Sequence, residues 1–449
     1  MISQTVEAIS SFLWGWPMII LLFGTHIFLT IRLRFPQRYV GKAIKLSVTP
    51  DKGSKGDVSQ FGALATSLAA TIGTGNIIGV ATAVALGGPG AVLWCWLTGV
   101  LGMSTKYAEG LLAVRFRQVQ PSGQMIGGPM YALEKGLGMK WLGVLFCVFT
   151  VLASFGIGNT VQSNAISTLM TDSFGVPAWI TGIVMALLVA LVIVFGVKGI
   201  ARVCSALVPV MALLYTLGCI YILFLNHSVL PDAIRLICNS AFTAKAAGGG
   251  FAGTTVMMAC RYGIARGLFS NESGLGSAPI VAAAAKTRNP VRQALVSSTG
   301  TFWDTVVICA LTGLVLVSSI IANPEISASD GGTLTSKAFS TIPYIGRPLL
   351  TVGIITFAFS TIIGWSYYSE KAMEYLCQKR WVKLLFRIVW VVLIFCGAVA
   401  NLALVWNLAD IMNALMAVPN LVSLLLLSGV CVTLTRKYLW DGSVDDSDS

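Results

Sequence analysis

Long apolar runs alternate with short polar stretches along this chain, and the runs have the length of membrane crossings. They cover roughly 12–30, 59–86, 91–114, 141–170, 178–197, 203–225, 251–286, 294–320, 349–373, 384–403 and 405–434. A hydrocarbon core of about 30 Å takes about 20 helical residues to cross. None of the runs has the period-two alternation of a half-buried strand. In lipid, every backbone amide must be satisfied inside its own segment, so runs of this kind fit only helices. The pattern predicts an all-α integral membrane protein with about eleven transmembrane helices. The first run, Phe12 to Thr30, follows Glu7 rather than a positive leader and precedes the basic stretch RLRFPQR, which makes it a retained span rather than a signal peptide.

Composition agrees: 56% of the 449 residues are hydrophobic and 11% are charged, which excludes a soluble two-domain enzyme. The net charge of +12 follows from topology. With the amino terminus outside, the cytoplasmic loops receive Arg32, Arg34, Arg38, Lys42, Lys45, Lys52, Lys55, Arg115, Arg117, Lys135, Lys140, Lys198, Arg202, Lys286, Arg288 and Arg292, and later Lys379 to Arg387 and Arg436 to Lys437. The outer loops keep only Arg235, Lys245, Lys337 and Arg347, as the positive-inside rule asks of a plasma-membrane protein. Charges scattered among short loops form no single basic face, so no nucleic-acid partner is expected. Ten cysteines stand singly and only His26 and His227 are histidines, so neither a disulfide framework nor a transition-metal site is expected. No cofactor is expected either. The acidic end, DGSVDDSDS, reads as a disordered tail.

Two spans are interrupted. In ATIGTGNIIG, Ala70 to Gly79, the segment Gly73-Thr74-Gly75-Asn76 breaks an apolar run near its middle, where each glycine costs about 1 kcal/mol relative to alanine in a helix. In GLFSNESGLGSAP, Gly267 to Pro279, three glycines and a glutamate do the same, and Pro279 suits the first turn of a resumed helix. Counting the first broken span as core helix 1, the second is core helix 6, in the opposite membrane orientation. Matching broken segments in two halves point to a transporter of inverted repeats with its site at the midplane. A glycine-rich packing face, with Gly75 and Gly79 one turn apart, is the structural alternative for the first.

The stretch SLAATIGTGNIIGVATAVALGGPGAVLWCWLTGVLGMSTKYAEGLLAVRFR, Ser67 to Arg117, together with RGLFSNESGLGSAP, resembles the alanine or glycine:cation symporter family, over nearly the whole chain. The resemblance implies a LeuT-like core of five plus five helices with one extra leading helix. Its parts would be the leading helix and basic loop over 1–58, repeats over 59–228 and 229–434, and a cytoplasmic tail over 435–449. It also implies symport of a small neutral amino acid, alanine or glycine, with a cation, Na⁺ before H⁺.

Each candidate residue has a chemical reason. The helix resumed at Gly75–Asn76 offers free amides and a positive dipole end to a carboxylate, making Gly73, Thr74, Gly75 and Asn76 substrate candidates. The carbonyls of Thr71, Ile72 and Gly73 suit a small cation. In the second break, Phe269 is an apolar wall, and Ser270, Asn271 and the Gly274 backbone are polar contacts. Gln162 sits in the polar patch GIGNTVQSNAIS and is a candidate for the substrate's ammonium or carboxylate, against interhelical bonding. Trp365 is a candidate lid over the substrate methyl, against simple packing. Ser360 and Thr361 complete the cation shell as the resemblance implies. Intramembrane carboxylates are functional by default. Glu272, however, shares its span with Arg261 and Arg266, which offer neutralisation, so a structural role is expected, with a proton or cation relay as the sharper alternative. Asp304 is equally open, and Lys106 and Glu109 are expected near the cytoplasmic edge. The first break carries no formal charge, which matches a zwitterion. An ion channel, or a permease without ion coupling, are the competing readings.

Overall fold

The computed structural model describes residues 2–51, 54–243, 255–400, 403–442 and 444–446. The sequence expectations that fall on Lys52, Lys245, Phe251, Ser443 and the last three residues lie outside these. Seven helices among the described residues are long and apolar enough to cross a membrane, and one bent pair makes a possible eighth. Three more helices stand where crossings are expected. Gly90–Arg115 is made polar by residues such as Lys106 and Glu109, Ala178–Ile193 is short, and Val256–Asn271 ends at the second break. Large apolar side chains point outward from several crossings, among them Leu187 and Leu191 on one and Phe224 on the next. Such an apolar outer surface is what a lipid environment requires.

Core helix 1 runs from Gln60 to Thr71, with the Ser59 hydroxyl accepting the Gly62 amide as a cap, and resumes through a wide turn over Gly75–Gly79 into Val80–Gly87. The two halves meet at 53°. Core helix 6 runs from Val256 to Asn271, capped by Thr255, and resumes for one turn at Pro279–Ala282, with Pro279 at its start. The remaining core helices are 2 (Gly90–Arg115), 3 (Lys140–Phe155 continued in Val161–Phe174), 4 (Ala178–Ile193), 5 (Gly196–Leu225), 7 (Pro290–Thr301 continued to Ala322), 8 (Gly346–Leu376), 9 (Arg380–Val399) and 10 (Ala403–Leu426). The leading helix is Trp16–Arg32. Glycines let these helices approach closely. A Cβ on Gly364 would lie 2.8 Å from the Ala70 side chain, and one on Gly158 would lie 2.4 Å from the Cβ of Trp365. Helix 8 is thereby pressed against both helix 1 and helix 3 beside the first break.

The acidic tail differs from expectation. Val444 is fully buried, Asn289 donates to the carbonyls of Val444 and Asp446, and Arg292 pairs with Asp445 at 2.6 Å. A basic, largely buried loop gives this short acidic segment enough partners to hold it, which composition alone does not reveal.

Candidate functional site

The first break has a definite hydrogen-bond logic. In an unbroken helix the Ala69 carbonyl would accept from the Gly73 amide. Here Gly73 N–H donates instead to Asn76 Oδ1 at 2.9 Å, and the Ala69 carbonyl accepts from the hydroxyls of Ser360 at 3.1 Å and Thr361 at 3.2 Å. Ile72 is extended, and Asn76 N–H returns to the Gly73 carbonyl at 3.3 Å. The amides of Thr74 and Gly75 open the resumed helix, where intrahelical acceptors are lacking by construction. Gly73 sits here because a Cβ would stand 2.8 Å from Thr361 Oγ1. The packing alternative fares less well: a Cβ on Gly79 would meet nothing within 4 Å, and one on Gly75 would make only ordinary contact with Phe269.

Around this break lies a narrow cavity of about 20 Å³, lined from helix 1 by Thr71, Gly73, Thr74 and Gly75, from helix 3 by Gln162, and from helix 6 by Phe269, Ser270 and Glu272. Helix 8 adds Thr361 and Trp365, and helix 10 adds Asn413. Gln162 spans the wall, donating to the Ile157 carbonyl at 3.0 Å and accepting from the Thr74 hydroxyl at 3.4 Å. Trp365 Nε1 donates to Glu272 Oε1 at 3.1 Å, so its indole is anchored by a polar handle as well as lying beside the cavity.

Several sequence candidates do not line the cavity. Asn76 is fully buried and structural in its contacts: besides capping Gly73, its amide donates to Asp304 Oδ1 at 2.7 Å. Asn271 turns away, donating to Thr98 and accepting from the Ser273 amide. Gly274 packs against Leu22 and Leu421 at φ +92°, with its N–H on Glu109 and its carbonyl on Asn420. Ile72 faces a separate apolar crevice toward helix 5, and Ser360 stands behind the wall on the Ala69 carbonyl.

The carboxylates are placed otherwise than the sequence suggests. Among the described residues neither Arg261 nor Arg266 pairs with Glu272; Arg261 reaches the Ser11 carbonyl instead. Arg261 stands about three helical turns back from Glu272, too far along the axis to reach it, and Arg266 leaves the helix on a different face. Lys106 and Glu109 are not at an edge but 2% exposed. Lys106 donates to the Glu272 carbonyl at 3.2 Å and lies 3.8 Å from Glu109, whose Oε1 accepts from the Gly274 and Gly276 amides and from Asn420. Glu109 thus takes up the amides that the second break frees. Asp304 ties the two breaks together, accepting from Asn76, from Ser270 at 3.0 Å and from Thr305 at 2.6 Å. Asn413, which no sequence signal singles out, joins the cavity only because helix 10 packs against the amino-terminal helix Ile2–Leu13, the leading helix and helix 3.

This geometry, two broken helices meeting at a polar cavity inside an apolar bundle, has close relatives. The chain is 52% identical to an uncharacterized transporter of Haemophilus influenzae, over 97% of this chain and 96% of that one. It is 50% identical to the sodium/alanine symporter AgcS of Methanococcus maripaludis, over 96% of each. Its fold is shared with the Eremococcus coleocola manganese transporter at TM-score 0.57 and 14% identity, covering 88% of both chains. The family model described as the sodium:alanine symporter family matches residues 1–448. On that match and on relatives half identical over almost its full length, the chain belongs to the sodium:alanine symporter family, a family of transporters and not of enzymes.

Proposed function

We propose that this protein carries a small zwitterionic amino acid, alanine and also glycine, into the cell together with Na⁺, by alternating access around the cavity between core helices 1, 3, 6, 8 and 10. The observation that carries the reading is the Ala69 carbonyl, released from its own helix and facing the Ser360 and Thr361 hydroxyls. These three oxygens, with the neighbouring carbonyls of Thr71 and Ile72, suit a desolvated Na⁺, which needs several oxygen ligands. The opening amides at Thr74 and Gly75 suit the substrate carboxylate, with Gln162, Phe269, Ser270 and Trp365 shaping the rest. Alanine as cargo is supported by the name of the relative AgcS. The amino terminus lies outside and the basic loops inside, with five-helix repeats over 59–228 and 229–434 rocking against each other.

One Na⁺ entering down about 100 mV releases about 2.3 kcal/mol. With a tenfold sodium gradient the total concentrates a zwitterion roughly 500-fold. Labelled alanine and glycine uptake into proteoliposomes, with and without an imposed Na⁺ gradient, tests this. Accumulation above equilibrium only with inward Na⁺ is expected, together with saturable counterflow. Uptake that follows a proton gradient alone, or never exceeds equilibration, assigns a proton-coupled or uncoupled permease instead. Conduction without counterflow assigns a channel.

A further inference from the structure

A second cavity, of about 380 Å³, lies on the outer side of the first break, between helix 1, helix 5, helix 7 and the short helix Val40–Val48. Phe61, Leu64, Leu68 and Ile72 line it from helix 1, following one another along a single face at helical spacing. Pro209 and Leu213 of helix 5 and Trp303 of helix 7 form the opposite walls. Val48 is 67% and Leu213 59% exposed, so the cavity opens sideways out of the bundle. From Phe61 to Ile72 a helix climbs about 16 Å at its rise per residue, half of a hydrocarbon core of about 30 Å. That is the depth of one leaflet. An α-helix with its side chains is about 10–12 Å across and does not enter a cavity of this volume, whereas a single hydrocarbon chain does.

The other end of the crevice is polar. Ser47, Val48 and Phe61 also line a vestibule of about 390 Å³, whose further walls include Asp51, Ser59 and Lys286. Asp51 is already neutralised, with Arg288 Nε at 2.6 Å and Arg292 Nε at 3.5 Å. Lys286 is held at the rim by its main-chain amide, which donates to the Val58 carbonyl at 2.8 Å. Lys45 stands one turn before Val48 on the short helix, and its carbonyl accepts the hydroxyl of Thr49, another vestibule residue. Among the described residues Lys286 and Lys45 are exposed and form no ion pair. The short helix is itself amphipathic, burying Ala43 and Leu46 while Lys42 and Lys45 stay exposed, the pattern of a helix lying at the headgroup level.

An apolar slot one leaflet deep, joined to a vestibule whose unpaired charge is positive, matches an acyl chain attached to an anionic headgroup. We infer that this crevice is a binding site for an anionic diacyl phospholipid, with one chain between helices 1, 5 and 7 and the phosphate beside Lys286 and Lys45. The bound chain supports the break from behind. Its seat reaches Ile72, where helix 1 turns extended, and the wide turn Phe302–Cys309, which carries the Asp304 that holds Asn76. Such a site lies outside the cavity assigned to cargo and cation, and it stands whether or not that assignment holds.

The test uses the full chain in detergent, supplemented with phosphatidylglycerol or with phosphatidylcholine of the same chains. Phosphatidylglycerol is expected to raise the melting temperature at concentrations at least about fivefold lower than phosphatidylcholine requires. Phosphatidylglycerol with a photoreactive group at mid-chain should crosslink within 61–72, 208–216 and 303–308, the segments that wall the crevice. Ala212→Trp, which fills the crevice from helix 5, should lose both the crosslinks and the lipid-induced rise. Lys286→Gln should keep the crosslinks and lose about fivefold in its preference for phosphatidylglycerol.

Crosslinks spread evenly around the outside of the bundle, or missing from those three segments, overturn the inference. Equal responses to the two lipids, or an unaltered Lys286→Gln, overturn the anionic assignment and with it the proposal. An Ala212→Trp that folds and binds as the wild type does also overturns it. Should Ala212→Trp fail to fold, the wild-type crosslinking map and Lys286→Gln decide. Alanine uptake enters none of these readouts, so a failure of the transport reading and a failure of the lipid site are told apart.

Discussion

At the residue scale, the cation shell makes the most direct demands. Thr361 and Ser360 each place one hydroxyl on the Ala69 carbonyl, and both hydroxyls also reach the Phe357 carbonyl of their own helix. Losing one polar partner costs on the order of 1–3 kcal/mol. Thr361→Ala and Ser360→Ala should each raise the Na⁺ concentration for half-maximal alanine uptake by about 10- to 100-fold. An unchanged Na⁺ dependence in both would remove the cation assignment. Gly158→Ala tests the close approach of helices 3 and 8. Its new methyl would collide with Trp365, and overpacking of this kind typically costs about 1–3 kcal/mol. Transport should fall and the detergent melting temperature should drop. Full activity at an unchanged melting temperature would show that the wall yields without cost. Asn76 was legible as a residue of the break, but its role was not, because its partner Asp304 is 228 positions away.

At the scale of elements, each break is held open by groups from other helices. Glu109 of helix 2 receives two amides freed in helix 6, and Lys106 balances it. Removing one member of a buried pair leaves the other charge uncompensated and costs about 3–5 kcal/mol. Lys106→Met should therefore destabilise the protein strongly in thermal unfolding, and adding Glu109→Gln should recover part of the loss. If the double variant is worse by the sum of the two singles, the charges act independently and the pair has no meaning. The interruptions themselves were plain in the sequence, since glycine-rich polar segments inside apolar runs have few other physical outcomes. Which charges serve them was not plain. Arg261 and Arg266 are nearest in sequence to Glu272, yet its carboxylate meets Trp365 of helix 8 and Ser277 of its own segment, while Lys106 of helix 2 reaches its main-chain carbonyl.

At the scale of the whole molecule, the loops around Arg292 and Arg117 are stitched by contacts between distant segments. Arg292 joins the first residue of helix 1, Gln60, to Asp51 and to the tail's Asp445. The Val58 and Ala285 strands of chain pair beside it, and Arg117 holds the Ala283 and Ala285 carbonyls. Asp445 is 75% exposed in its side chain, so Asp445→Asn should cost no more than about 1 kcal/mol. Ending the chain at Trp440 also strips Val444 from its buried seat and two carbonyls from Asn289. It should lower the melting temperature further and speed proteolysis between residues 49 and 58. Equal effects from both variants would mean that the ion pair alone holds the tail.

The sequence by itself determined the solvent, the helical class, the two interruptions and the family, because hydrophobic run length and local helix propensity are properties of neighbours along the chain. Only the tertiary structure decided that Glu272 faces the cavity, that Asn271 and Gly274 do not, that Asn413 joins them, and that the tail is docked. Those outcomes depend on the direction in which a side chain leaves a bent helix and on what a distant helix presents there, and neither is written in local order.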